Sequence, residues 1–124
     1  MPDAELVDPV EIVRTFLASK VTIPVRVRVP SPRPDAFLTV SRSGGPVVNR
    51  VLEEPLLTVQ AWGKSIADAS DTASAIKSAF LNDYTEMPLV RRVQILSVYD
   101  DPDPESEQPR YTVSVRLTVR ARRI

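Results

Sequence analysis

The cleanest pattern in the chain lies in residues 110–120, RYTVSVRLTVR. Tyr111, Val113, Val115, Leu117 and Val119 fall on one side; Thr112, Ser114, Arg116, Thr118 and Arg120 fall on the other. Strict alternation marks a strand with one buried face. Residues 24–29, PVRVRV, repeat the pattern, with Val25, Val27 and Val29 set against Arg26 and Arg28. Residues 37–42 and 56–62 predict two further strands. In 90–99, VRRVQILSVY, two apolar sets overlap. That predicts a strand which bends or bulges and pairs with 110–120 as a hairpin.

Two stretches carry the helical period instead. In DPVEIVRTFLAS, residues 8–19, Val10, Val13 and Leu17 recur at helical spacing beside Phe16. Asp8 is placed to cap, Pro9 suits the first helical position, Glu11 can reach back, and Val7 can staple against Ile12. The second helix begins after Ser65, with Asp68 completing a capping box. Its apolar stripe is Ile66, Ala69, Ala73, Ile76 and Phe80, and it ends near Leu81-Asn82. The prolines at 30, 32 and 34 predict an extended loop outside any ladder. Residues 46–54, PVVNRVLEE, have no clean period and read as a mobile loop or as a strand extension.

The resulting order is α-β-β-β-α-β-β. It predicts an α+β fold: one domain over residues 1–124, with an antiparallel or mixed sheet of about five strands and both helices on one face. The other face carries Arg26, Arg28, Arg116 and Arg120, and suits water or another subunit.

Composition narrows the chemistry. The 124 residues hold 16 basic and 16 acidic side chains, so bulk charge does not favour general binding to nucleic acid or membrane. No apolar run approaches the length of a membrane span, and the acidic N-terminal stretch lacks a signal-peptide pattern. Cysteine and histidine are both absent. Disulfides, thiol catalysis, Cys/His zinc sites and histidine general-base catalysis are therefore impossible.

Three motifs invite chemistry. Gly63-Lys64-Ser65 resembles the end of a phosphate-binding loop, but Thr58 stands where the first glycine is required, and a strand occupies the loop's place. Ser74 and Lys77 match S-x-x-K without the companion elements of that enzyme class. Asp100, Asp101, Asp103, Glu105 and Glu107 gather carboxylates, yet prolines interrupt them and no turn glycine is present, so a solvated hairpin loop is favoured over a calcium site. Arg116, Arg120, Arg122 and Arg123 form either a charged strand edge or a contact for an acidic partner or passing DNA.

The chain as a whole resembles the tail terminator proteins of long-tailed bacteriophages, particularly those of actinobacteria. The resemblance rests on FLTVSRSGGP at 37–46, on VQAWG at 59–63 followed by an alanine-rich helix, and on QPRY at 108–111 leading into the alternating strand. It implies a non-enzymatic subunit, without cofactor, of a six-membered ring on the head-proximal end of the tail tube. The implied partners are other copies of the chain, the tail tube protein, the head-completion or stopper protein of the neck, and genomic DNA passing through the lumen without sequence recognition. The implied location is the virion, after assembly in the host cytoplasm. The alternatives are another neck or head–tail connector protein, a small metal-dependent carboxylate enzyme, or a host regulatory or ligand-binding module.

A monomer of this mass exposes roughly 6,600 Å². Two standard neighbour contacts would cover near a quarter of that. Segments 30–36 and 44–55 are the expected contact regions, the second mobile in a free subunit and ordered in an assembly. The candidate interface residues are Gly44, Gly45, Val47, Val48, Arg50, Val51, Leu52, Arg120, Arg122 and Arg123.

Overall fold

A computed structural model describes residues 3–123. In chain order the elements are β1 (Ala4–Glu5), α1 (Pro9–Ala18), β2 (Val25–Arg26), β3 (Phe37–Gly44), β4 (Val47–Asn49), β5 (Leu52–Glu53), β6 (Leu56–Trp62), α2 (Ile66–Asp83), a 3-10 turn (Tyr84–Glu86), β7 (Val90–Asp100), β8 (Arg110–Arg120) and β9 (Arg122–Arg123). The fold is α+β, as the periodicities predict. β2 lies parallel to β3, and the other pairings are antiparallel.

Strand β8 organises the sheet. Its alternating apolar residues leave Val113, Val115, Leu117 and Val119 buried on one face. One edge pairs with β7 over most of its length; the other pairs first with β6 and then with β5. β5 and β6 are thus one pass along β8, interrupted at Glu54-Pro55, where Leu117 N–H still donates to the Pro55 carbonyl at 3.1 Å. In the same way β4 continues β3 beyond a kink at Gly44-Gly45. Residues 37–62 therefore form one bent hairpin, with a base of β3 and β6 and a tip of β4 and β5.

Both helices pack on the face that carries Leu38, Val40, Leu57, Val59 and Ala61. α1 lies over β2 and β3, and α2 over β6, β7 and β8. Val13, Leu17, Ala73, Ile76 and Phe80 face this core, and the Phe16 and Phe80 rings meet at 5.8 Å between centroids. Each buried Leu, Ile, Val or Phe contributes about 1.5–3 kcal/mol of transfer free energy before entropy is counted.

Local signals set the helix starts. The Asp8 carboxylate accepts from Val10 N–H at 3.0 Å, and Ser65 Oγ accepts from Asp68 N–H at 3.1 Å. Glu11, expected to reach back to the cap, turns forward to Arg14 instead. The overlapping apolar sets of 90–99 resolve as two irregularities in β7, between Val90 and Arg92 and between Ile95 and Ser97.

Several expectations need correction. Only Val25 and Arg26 of the 24–29 segment join the sheet; Val27 and Val29 are exposed rather than half-buried. The chain leaves the sheet edge before the proline-rich loop, so the alternation has no ladder to act on. Ile66 sits in the first turn of α2 and is 58% exposed, outside the stripe that the rest of the helix buries. Of the two readings of residues 46–54, the strand extension is the one found: they form the hairpin tip of β4 and β5, with a register shift between Val47 and Asn49. The sheet has seven strands rather than about five, because the tip adds β4 and β5; β1 and β9 form a separate two-stranded ladder.

Candidate interaction surfaces

The kink in the 37–62 hairpin is built around Arg42. Its guanidinium donates to the carbonyls of Gly44 and Gly45, each at 3.0 Å, and to the Glu53 carboxylate at 3.0 Å. Glu53 is a buried acid on β5, so this pair ties the tip to the base. Gly45 has φ +95°, and a Cβ there would lie 2.2 Å from the Glu54 carbonyl oxygen. Glycine is required by both conformation and space. Glu54 N–H donates across the kink to the Pro46 carbonyl.

Beyond the kink the tip turns outward. Val47, Val48 and Val51 are 54%, 47% and 43% exposed, Arg50 is exposed, and Leu52 is half-buried. Asn49 Oδ1 accepts from Val51 N–H and shapes the turn. Of the expected interface residues, the structure brings Gly44, Gly45, Val47, Val48, Arg50, Val51 and Leu52 onto this one element. Arg120 is next to it, paired in register with Leu52.

The C-terminal arginines do not act as one free cluster. Arg122 bonds to Glu5 across the β1–β9 ladder. Arg120 donates its backbone N–H to the Leu89 carbonyl, and Arg123 is exposed.

Two carboxylates of the acidic segment, Asp101 and Asp103, are engaged by internal arginines. Asp101 Oδ2 accepts from Arg110 at 3.1 Å and from the Thr112 hydroxyl at 2.7 Å. Asp103 lies 3.7 Å from both Arg110 and Arg33. The Ser106 hydroxyl and backbone N–H, then Arg110 and Arg33, hold the Asp103 carboxyl below its ordinary range. These arginines lie over Trp62, at 4.8 Å for Arg110 and 5.3 Å for Arg33, and Trp62 stacks on Phe37 at 5.0 Å. Part of the sheet face expected to be open is therefore covered by segments 30–36 and 101–109. Among the described residues, no group of three or more His, Cys, Asp or Glu is placed to hold a metal ion.

At the Gly63 turn, Lys64 Nζ lies 3.5 Å from Asp35. Gly63 is buried, and a Cβ there would meet Ala69 N at 2.9 Å. The motif is a close strand-to-helix turn, not an open phosphate cradle. Ser74 is exposed and Lys77 half-buried on the outer side of α2.

Two features lie outside the periodic pattern. A groove of about 810 Å³ opens between α1 and the 3-10 turn, with Leu6, Ile12, Phe16, Met87 and Leu89 among its lining. Lys20 bridges that turn to α1's end, bonding Glu86 at 2.9 Å and Asp83 at 3.0 Å, and these carboxylates raise its pKa. Arg42 with Glu53 is the second feature. Their eleven-residue separation falls within no local motif.

Among the described residues, no helix is long and apolar enough to cross a membrane. No known family matches the sequence, and no curated protein matches it significantly. Among solved structures the chain is similar to a chain from the virion of a native gene transfer agent particle, at 12% identity, over 92% of this chain and 87% of that one, with a TM-score of 0.46.

Proposed function

We propose that this protein is a structural subunit of a phage tail terminator: a ring, of six copies, that caps the tail tube, ends its polymerisation and presents a surface for head joining. The observation that carries this reading is the resemblance of segments 37–46, 59–63 and 108–120 to that family, in order and over nearly the whole chain. The hairpin tip supports it. A small chain that holds Val47, Val48 and Val51 outward on a braced element has apolar surface suited to a neighbour. A head-to-tail contact of that kind closes into a ring when its rotation allows.

On this reading Lys64 and Ser65 serve a helix start, and the exposed Arg120 and Arg123 face partners or the DNA path. Deletion of the gene during phage assembly tests the proposal. The expected result is tails of uncontrolled length together with untailed heads. Normal-length tails joined to heads would overturn it.

A further inference from the structure

The sheet ends on one side at β7, eleven residues long and about 36 Å in extent. Its inner edge pairs with β8; among the described residues no strand pairs with its outer edge. An open edge of that length presents a row of backbone donors and acceptors to any second strand. Proteins commonly blunt such edges with charge and bulges. β7 does carry bulges, between Val90 and Arg92 and between Ile95 and Ser97, but its charge is confined to the two ends. Arg91 and Arg92 stand at one end and Asp100 at the other, while Val93–Tyr99 carries none. Within that neutral stretch Leu96, Val98 and Tyr99 are 41%, 37% and 47% exposed. Arg91, Arg92 and Asp100 make no ion pair among the described residues.

This distribution is self-complementary only in one sense of pairing. A strand that is basic at its start and acidic at its end repels a parallel copy at both ends. An antiparallel copy sets the arginines of each strand beside the aspartate of the other and brings the neutral centres together. We infer that the β7 edge pairs two copies of this chain antiparallel about a two-fold axis, with Arg91 and Arg92 of each copy against Asp100 of the second. The contact is isologous and joins two seven-stranded sheets into one. It uses a different surface from the hairpin tip and does not rest on the tail reading.

Two variants of the full chain test it, each checked for folding by circular dichroism and thermal melting. One carries Arg91→Glu and Arg92→Glu, so its strand is acidic at both ends. The other carries Asp100→Arg, so its strand is basic at both ends. Sedimentation should show the wild-type chain forming dimers and each variant self-associating about tenfold or more weakly. An equimolar mixture should recover the dimer, because acidic ends then meet basic ones. A monomeric wild type, a variant that dimerises as the wild type does, or a mixture that stays monomeric would each overturn the pairing. Tail-length control that persists in both variants would leave the terminator reading standing while the edge contact is judged on its own.

Discussion

The base and the tip of the 37–62 hairpin are the same two strands in different company. At the base, β3 and β6 are flanked by β2 and β8 and covered by both helices, and Leu38, Val40, Leu57 and Val59 are fully buried. At the tip, β4 has β5 alone beside it, and its three residues are all exposed. One chain reversal thus contains a core and a surface, separated by Gly44-Gly45 and clasped by Arg42 and Glu53. The difference teaches that β-pairing alone does not bury a side chain. Burial follows from the layer above, and the tip projects beyond the helices.

The largest expected effect should come from the base. Leu57→Ala removes a fully buried side chain and is expected to cost about 3 kcal/mol, within the range for core truncations. Denaturant unfolding with an unchanged m-value would report it. A loss comparable to that of an exposed valine would show that the base is not the core.

The clasp comes next. Arg42→Ala leaves the buried Glu53 carboxylate without its partner. The expected cost is about 2 kcal/mol, below that for a fully buried pair because Arg42 is about a third exposed. Arg42→Ala combined with Glu53→Gln should recover part of it. No recovery would mean that the tip is held by other contacts. Gly45→Ala is expected to cost about 1–3 kcal/mol, since backbone must shift to admit the Cβ.

A smaller effect should follow pH. The Asp103 carboxyl is held below its ordinary range by Ser106 and by the two arginines, so its contribution is fully present above about pH 4. It is lost as pH falls through the lowered value. The protection of amides 101–109, with the intrinsic pH dependence of exchange divided out, should fall on that acid side in the wild type, and Asp103→Asn should remove the dependence. Protection that does not change with acid would contradict the role given to this carboxylate.

The strands of the base were legible because alternation and burial coincide there. β8 occupies residues 110–120 as the period marks them, and the helix starts follow from Asp8, Pro9 and Ser65. The tip was legible only as one of two readings, a strand extension beside a mobile loop, because Pro46 and Pro55 interrupt the period and Arg42 finds Glu53 only through the fold. PVRVRV misled for the opposite reason: its alternation is regular, yet past Arg26 there is no neighbouring strand to align it. Ile66 belongs to the helical stripe by spacing, but it begins the helix outside the buried part of α2. The candidate interface was legible in part. The valines of 47–51 are on the surface, as their lack of period suggested, whereas Arg122 is engaged with Glu5 by a ladder that spans nearly the whole chain.

The smallest effect on folding, and the sharpest on function, should come from the tip. Val47→Ser, Val48→Ser and Val51→Ser in one chain should change stability by no more than about 0.5 kcal/mol per site, since all three are exposed. The direct test is to supply this variant to a phage whose own copy of the gene is deleted, and to measure tail lengths by electron microscopy. The account predicts a folded protein that fails to restore control, giving overlong tails and untailed heads. Tails of normal length, joined to heads, would contradict it.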